Sequence, residues 1–413
     1  MRVLFVASRL PRPFERGDQV RSWHQLRQLG RRHSIHLLVF AEGHPDAAAL
    51  AATRELCERV EVVPWSTYRA VAALPARWLR GRPIQCALFD SREMALLVEA
   101  RVREGVDLVH LQPARLDALA AAARSCPLFV DFIDALSLST GRRASRSSWP
   151  LRLLLRVETR RLRVTEQRLL SRADRGAVVS DCDRVALGSP ENLDVVPLGV
   201  DSDSFPFDGS PRDARTVVFS GNLGYFANED AASWLATSVW PLVRRDVPTA
   251  RLLLVGARPS RSVRRLGSLS EDITVTGRVL DMGSWLRRAA VAVAPMQSGA
   301  GQQFKVLEAM SSGTPVVVTP VGAAGLGPTA ECTTVAAGPE PFARAIVNLL
   351  RDTAGAAAQA VRARARIDDA HSWGDSCRTL EMGWYAARER HRGPLDASAV
   401  GSGLRRYQVS DLC

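Results

Sequence analysis

The chain has 413 residues, 46% of them hydrophobic, and a formal net charge of +12. That length predicts two domains of about 200 residues, each able to bury its own core. The seven cysteines lack paired or metal-binding spacing, which argues against a disulfide framework or zinc site and predicts reduced thiols in a cytoplasmic protein. The apolar run at residues 3–7 is too short for a signal peptide, and no run reaches the roughly 18 apolar residues of a membrane span.

Short apolar runs alternate with helical segments along the whole chain. We expect strands at residues 3–7, 35–40, 106–111, 128–133 and 177–180, and a second series at 216–220, 251–255, 273–276, 291–294 and 315–319. Continuous apolar strands separated by helices predict two doubly wound α/β domains with parallel sheets. Prolines and glycines at 197–211 mark the boundary. The predicted parts are a first domain at 1–203, a second at 204–374, a terminal helix at 375–392 and a poorly ordered tail at 393–413.

The loop that follows the strand at 291–294 has the features of an anion site. Its glycines let backbone amides turn toward a ligand, and the predicted helix after it adds partial positive charge at its N-terminus. That helix carries Lys305, the only lysine of the chain, whose compact charge suits a phosphate in a narrow opening. Glu308 follows one turn later, where it can accept hydrogen bonds from sugar hydroxyls. The alternative is an ordinary connection with a surface Lys and Glu.

Polar residues also follow strands of the first domain. Ligands of open parallel sheets bind beyond the carboxyl ends of the strands, so we expect these residues to face a cleft between the domains. Gly17 would permit close approach of a ligand there. For His110 the structural alternative is a buried histidine bonded to the backbone. For Asp134 it is the N-cap of a helix. The candidates are the acceptor-side residues Gly17, Asp18 and Arg21, and the catalytic candidates His110 and Asp134.

Residues 142–175 contain eleven arginines and only three acidic residues. A helix at 151–172 would carry one apolar stripe along this basic segment. It could rest on anionic lipid beside Trp149, or it could pack its leucines on the first sheet. No aromatic-studded sheet or reading helix accompanies the charge, so nucleic acid is not expected as a partner. The stripe consists of Leu151, Leu155, Leu162 and Leu169.

The string from Ser298 to Thr319, with Gly322, Gly325 and Leu326 after it, resembles the nucleotide-sugar site of family 4 glycosyltransferases of the GT-B fold. The resemblance continues upstream at 219–228, 252–256 and 276–281, and residues 196–201 resemble that family's interdomain connector. It is strong from 196 to 326 and weaker in the first domain. The chain is most similar to the branch associated with bacterial exopolysaccharide and exosortase (PEP-CTERM) gene clusters.

The resemblance implies a retaining transfer of a sugar from a nucleoside-diphosphate-sugar to a glycan or lipid-linked acceptor, at the inner face of the plasma membrane. The departing phosphate would deprotonate the acceptor, and the loop has no Asp-x-Asp cluster, so no metal or other cofactor is expected. Arg278 and Val279 would border the base and Glu308 the ribose. Gly301 and Lys305 would bind the diphosphate. The remaining donor-side residues would be Gly221, Asn222, Asn228, Ser298 and Gly299.

Three departures from the family pattern leave other functions open. Ala300 replaces a glutamate, Asn222 and the pair Ala227-Asn228 lie where the family has an arginine and Lys-Gly, and Ile133 replaces the histidine before Asp134. A non-catalytic assembly or scaffold protein is one alternative. A sugar-nucleotide epimerase of the same architecture is another, and it would need acid and base carboxylates in the cleft.

Overall fold

A computed structural model describes residues 1–12, 14, 16–209 and 211–392, so the predicted tail lies outside the described residues. Within them the strands form two parallel sheets, which confirms the predicted doubly wound α/β fold. The seven-stranded sheet has the order β3-β2-β1-β4-β5-β6-β7 and the six-stranded sheet β10-β9-β8-β11-β12-β13. The first contains β1 (Arg2–Ala7), β2 (Ser34–Glu42), β3 (Arg59–Trp65), β4 (Leu108–Gln112), β5 (Leu128–Ile133), β6 (Arg175–Val178) and β7 (Leu193–Val195). The second contains β8 (Asp213–Ser220), β9 (Arg251–Val255), β10 (Ile273–Gly277), β11 (Ala289–Ala294), β12 (Val316–Val318) and β13 (Thr334–Val335).

Helices connect the strands and cover the sheets. Those before β8 are α1 (Gly17–Leu29), α2 (Ala47–Arg54), α3 (Thr67–Leu79), α4 (Ile84–Ala87), α5 (Arg92–Arg103), α6 (Leu136–Arg146), α7 (Trp149–Arg172) and α8 (Asp181–Ala186). Those after β8 are α9 (Phe226–Trp234), α10 (Trp240–Asp246), α11 (Arg261–Leu266), α12 (Met282–Arg288), α13 (Phe304–Ser311), α14 (Pro320–Ala323), α15 (Pro339–Arg351), α16 (Thr353–Ala370) and α17 (Trp373–Arg392). Short 3-10 segments lie at Ala114–Ala121 and Gly327–Cys332, and a π segment at Leu235–Val239. Over the described ranges, no helix combines the length and apolarity needed to cross a membrane.

The strands are apolar on both faces because both faces of each sheet are covered. Strand β1 lies between β2 and β4, where Val3 pairs with Ile35 on one side and Leu108 on the other. Leu4 and Val6 pack in one cluster of the first domain, whereas Val3 and Phe5 pack in a second. The second sheet lies within a separate, larger cluster. Each sheet therefore has its own core.

The chain crosses between the two sheets twice, and the crossings lie side by side. The first begins after β7, at residue 196, and contains the predicted boundary at 203. The second joins α16 to α17. Val200 of the first crossing pairs in parallel with Ser372 of the second, and its N–H donates to the His371 carbonyl at 2.8 Å. Gly199 has no room for a side chain, since a Cβ there would lie 2.6 Å from Trp373.

Helix α17 brings the chain back to the first domain. It begins at Trp373, two residues before the predicted start of the terminal helix, and it lies against α1, β5 and β6. Trp384 is fully buried in the same cluster as Val3, Phe5 and Phe129. The last helix of the described chain thus covers part of one face of the first sheet, beside α1.

Candidate active site

The ends of the two sheets face each other across a cleft. A Cβ at Gly17, which begins α1, would lie 3.2 Å from the ring of Phe304, which begins α13. A Cβ at Gly301 would likewise lie 3.2 Å from the Cβ of Asp134, which follows β5. The segments that meet here come after β1, β5 and β11, at the carboxyl ends of the strands. This is the edge at which open parallel sheets bind ligands.

Residues 295–303, here called the glycine loop, connect β11 to α13. Gly299 and Gly301 have φ angles of +117° and +69°, a region that residues with a Cβ rarely adopt. Gly301 is also tightly enclosed, because a Cβ there would lie 3.2 Å from Val179. The loop is held to the first domain by Arg142, whose Nη1 donates to the Gly299 carbonyl at 2.8 Å. Ser298, within the loop, is buried.

Lys305 lies in the first turn of α13. Its Nζ donates to Gln303 Oε1 at 3.1 Å and lies 3.6 Å from the sulfur of Met296. Among the described residues, no carboxylate forms a salt bridge with it. Burial lowers the pKa of Lys305 from 10.5 to about 8, and the charge of Glu308 opposes this shift. At neutral pH the group is a cation in a poorly solvated position, which favours binding of an anion.

Glu308 lies one turn further along α13 and is half-buried. Burial raises its pKa to about 7, and the charge of Lys305 lowers it. A carboxyl group with this pKa exists in both protonation states near neutrality. It can accept a hydrogen bond from a hydroxyl as a carboxylate, or donate one as an acid.

The turn after β8 lies against Lys305. Gly221 has a φ of +147°, and a Cβ there would lie 3.3 Å from Lys305 Cε and 3.0 Å from Asn228 Nδ2. The Asn228 amide donates to the carbonyl of Asn222 at 2.9 Å and so holds the turn. The Oδ1 of Asn228 is buried and makes no hydrogen bond with any described residue. The structure therefore brings Gly221, Asn228 and Lys305 together, as the donor-site prediction requires.

Arg278 and Val279 follow β10, at the edge of the second sheet that lies two strands from β8. Arg278 is exposed and Val279 is half-buried. They lie at the same end of the sheet as the turn after β8. Their assignment to the base of a nucleotide stays a prediction.

Asp134 follows a strained residue. Ile133 has a φ of +67°, which is unusual for a β-branched side chain, and its N–H donates to Asp131 Oδ1 at 3.1 Å. Such strain persists only where the surrounding structure holds it in place, and it often occurs at functional sites. Burial and the neighbouring Asp183 raise the pKa of Asp134 to about 7. Asp134 thus combines a position beside the glycine loop with titration near neutrality.

Asp183 is a site residue that the sequence interpretation missed. Its Oδ1 accepts from the N–H of Ala135 at 3.0 Å and from the N–H of Gly301 at 3.3 Å. One buried carboxylate therefore contacts both the segment after β5 and the glycine loop. The signal available in the sequence was Ser180-x-x-Asp183 directly after a strand, a capping-box-like pattern. It indicated a helix start and gave no sign of the contact with Gly301.

His110 does not reach the cleft, contrary to the expectation from the sequence. It is fully buried, and its ring stacks on Phe5 at 4.2 Å and on Phe129 at 5.4 Å. Trp384 of α17 donates to its Nδ1 at 3.0 Å. Burial lowers the pKa of His110 to about 3, so the ring is neutral. The strand directs this side chain into the core, where it is an acceptor for Trp384.

Arg21 is also buried rather than facing an acceptor. Its Nε donates to Asp131 Oδ2 at 2.7 Å, and Nη1 donates to the carbonyl of Val196 at 3.2 Å. These bonds tie α1 to β5 and to the first crossing. Asp18 is paired with Arg9. Burial raises the pKa of Asp18, but nearby arginines outweigh this effect and hold it below its usual value. Of the three acceptor-side candidates, Gly17 has the position beside α13 described above.

The arginine-rich helix α7 packs most of its predicted apolar stripe inward. Leu155, Leu162 and Leu169 are buried, and the latter two belong to the first-domain core. The alternative of leucines packed on the first sheet is therefore correct for Leu162 and Leu169, and none of the three buried leucines is available to insert into lipid. Leu151, at the start of the helix, is exposed.

The sequence of the second domain matches known proteins. Residues 214–352 match the family model described as "Glycosyl transferases group 1". The matched residues run from β8 to α15. A segment of 135 residues is 33% identical to the phosphatidyl-myo-inositol mannosyltransferase of Mycobacterium tuberculosis, and it makes up 31% of this chain and 35% of that protein. The same enzyme of Mycolicibacterium smegmatis is 33% identical over 135 residues, 34% of its length. The match spans about a third of the length of these curated relatives.

Similarity in structure extends well beyond residues 214–352. Sucrose-phosphate synthase of Thermosynechococcus elongatus aligns with 93% of this chain and 98% of its own, at a TM-score of 0.71 and 16% identity. Anabaena HepE in complex with UDP-glucose aligns with 94% of this chain and 100% of its own, at a TM-score of 0.66 and 17% identity. At such identities the likeness concerns the fold alone, and it is the GT-B arrangement of two facing α/β domains.

Proposed function

We propose that the protein transfers a sugar from a nucleoside-diphosphate-sugar to an acceptor hydroxyl bound in the cleft. The observation that carries this proposal is the position of Lys305. It is a partly buried cation without a salt-bridge partner in the described part of the chain, and it lies at the start of α13 beside Gly221. It belongs to the segment that matches the group 1 glycosyltransferase family model. The UDP-glucose complex of HepE and the mannosyltransferase relatives support this class of donor.

The proposed step retains the configuration of the sugar. The bond between the anomeric carbon and the β-phosphate oxygen breaks, and the acceptor oxygen bonds to that carbon. The acceptor proton passes to the departing phosphate, which leaves as a nucleoside diphosphate, so the protein need not supply a dedicated base. Lys305 and the N-terminus of α13 stabilise the negative charge on the leaving group. Glu308 accepts hydrogen bonds from the ribose, and Arg278 and Val279 border the base.

On the acceptor side, the proposal assigns Asp134 to the hydroxyl that reacts, since it lies beside the glycine loop and titrates near neutrality. The acceptor is a glycan or a lipid-linked molecule, and the lipid named for the mannosyltransferase relatives supports the second choice. The pathway is bacterial polysaccharide biosynthesis at the inner face of the plasma membrane. Support for the pathway comes from the sequence resemblance to the exopolysaccharide and exosortase branch.

The test is the release of nucleoside diphosphate from a panel of UDP- and GDP-sugars, with and without a bacterial lipid extract as the acceptor source. A transferase should release nucleoside diphosphate faster with the extract than without it, and Lys305→Ala should abolish the difference. Conversion of one sugar nucleotide into an isomer, without acceptor, would identify an epimerase.

The absence of any turnover would favour the scaffold function. The observation behind that alternative is that Asn222 and Ala227 stand where the family pattern has an arginine and a lysine.

A further inference from the structure

The N-terminal end of α7, residues 148–154, exposes a group of large apolar side chains and is here called the α7 tip. All seven residues are exposed, and the exposed fractions of Trp149, Leu153 and Leu154 are 79%, 57% and 40%. Several large apolar side chains exposed within one short segment point to a site of contact. Leu155, immediately afterwards, is already buried, so the apolar surface belongs to the tip rather than to the whole helix.

The α7 tip is surrounded by positive charge. Residues 142–157 contain five arginines and no acidic residue. Arg152 and Arg156 are exposed on α7, and Arg143 and Arg146 lie at the end of α6. Tryptophan and leucine among arginines at a helix end are typical of segments that rest in the interface of an anionic membrane. Charge complementarity therefore favours anionic lipid over another protein as the occupant.

A cavity of about 350 Å³ opens beside the α7 tip. It lies between the α6–α7 corner of the first domain and α9 of the second domain. The side chain of Leu151 forms part of its wall and also belongs to the tip. Ser298 of the glycine loop, only 2% exposed, lines the same space. The cavity therefore connects the exposed apolar surface with the loop that we assign to the donor.

The two walls of the cavity differ in charge. Arg143 and Arg146 line the first-domain wall, and Arg143 lies 4.2 Å above the ring of Phe226. Glu229 and Asp230 line the α9 wall, and Asp230 lies 3.7 Å from Arg146. Guanidinium groups bind phosphate, whereas carboxylates accept hydrogen bonds from sugar hydroxyls. The volume lies within the range of small-molecule sites.

We propose that the acceptor is a lipid carrying a phosphate group, which the protein meets with the α7 tip on the membrane surface. The phosphate binds Arg143 and Arg146 in the cavity, the apolar chain leaves along Leu151, and the hydroxyl end points to the glycine loop. This inference rests on the proposed sugar transfer and names its acceptor class. It also replaces the leucine stripe of α7 by the α7 tip as the membrane contact.

The membrane part is tested by co-sedimentation with vesicles of phosphatidylcholine alone and of phosphatidylcholine mixed with phosphatidylglycerol. The parent should bind the anionic vesicles, and binding should weaken as salt rises. The combined change Trp149→Gln, Leu153→Gln and Leu154→Gln should reduce binding at least about tenfold. The matched control changes three exposed apolar residues of other surfaces and should bind like the parent. These control substitutions are Leu269→Gln, Val361→Gln and Met382→Gln.

The cavity is tested by calorimetric titration with geranyl phosphate, geraniol and inorganic phosphate. Geranyl phosphate should bind more tightly than either part alone, and Arg143→Gln with Arg146→Gln should weaken it at least about tenfold. Arg245→Gln with Arg378→Gln removes two exposed arginines elsewhere and should leave the affinity unchanged. Equal binding of inorganic phosphate and geranyl phosphate would show a site for free phosphate and would overturn the lipid assignment.

The binding of UDP and GDP to each variant separates the two proposals. If the parent binds and turns over nucleotides normally but does not bind anionic vesicles or geranyl phosphate, the lipid inference is refuted and the proposed sugar transfer is not. Vesicle binding that persists in the α7 tip variant would refute the role of the tip. The absence of nucleotide turnover in the parent would contradict the proposed function itself, whatever the result of the vesicle binding assay.

Discussion

Replacing Lys305 should separate activity from stability. A charge-assisted hydrogen bond contributes about 1.5 to 3 kcal/mol, and about 1.4 kcal/mol corresponds to a factor of ten. Lys305→Met, which keeps an unbranched side chain one atom shorter and without its charge, should therefore weaken the affinity for nucleoside diphosphate roughly ten- to 150-fold. Arg245→Met, the same change at an exposed position of α10, is the matched control and should leave the affinity unchanged.

The stability of the Lys305→Met variant should not fall. Burial lowers the pKa of Lys305 from 10.5 to about 8, so the folded protein carries a cost for the charged amine at neutral pH. That difference corresponds to at most about 3 kcal/mol. The cost is fully present below pH 8 and disappears as the pH rises above 10.5, because the amine is then neutral in both the folded and unfolded states. Lys305→Met should thus unfold at the same or a higher temperature at pH 7.

Two assays decide the matter, calorimetric titration with UDP and GDP and thermal unfolding at pH 7 and pH 10. Loss of affinity together with unchanged or raised stability is the expected result. A folded Lys305→Met protein that binds nucleotides as well as the parent would refute the phosphate assignment. A loss of more than about 2 kcal/mol of stability with normal affinity would show instead that the lysine is a structural residue of α13.

The remaining predictions concern three carboxylates of the cleft. Glu308→Gln should lower donor affinity at least about tenfold in calorimetric titration. At a pH above 7 its melting temperature should be unchanged or higher than that of the parent, because burial disfavours the ionised form of Glu308 there. Normal affinity with a lower melting temperature would indicate a structural role. The kcat should rise as the pH increases through about 7, the pKa of Asp134. Asp134→Asn should remove this rise from the pH profile. An identical rise in the variant would show that Asp134 is not the group that titrates. Asp183→Ala should lower stability by about 1 to 3 kcal/mol and raise the KM for donor, because the N–H groups of Ala135 and Gly301 lose their acceptor. Asp183→Asn should partly restore both. A normal KM in the alanine variant would show that Asp183 contributes to stability only.

The central strands of both sheets and the edge strand β10 could be predicted from the sequence, but the other three edge strands could not. Strands β3, β7 and β13 were all missed, and each lies at the edge of its sheet. An edge strand has one neighbour and is partly exposed, so it does not need a continuous apolar run. Strand β3 includes Glu61 and Pro64. Strands β7 and β13 have only three and two residues.

The positions of the donor-side candidates were easier to predict than those of the first-domain candidates, and the roles of the donor-side residues stay predictions. Lys305, Gly301 and Glu308 lie within one local string, in which a loop and a helix start determine their positions. His110 and Arg21 depend on distant parts of the chain, namely Trp384 and Asp131. Sequence position placed both beside the cleft, but burial against α17 and β5 decided where their side chains point. Such contacts between distant segments leave no periodic signal in the sequence.

The return of α17 to the first sheet makes the first domain discontinuous. Its core needs Leu380 and Trp384 from the end of the described chain, whereas the core around β8–β13 is formed from residues between 179 and 373. During synthesis, the segment containing β8 to β13 is therefore complete before the first domain is. Until the last helix leaves the ribosome, one face of the nascent first sheet is covered only in part, by α1 and α2. A fragment ending at residue 203 would keep the α17 part of that face exposed permanently, so dividing this protein requires joining α17 to the fragment.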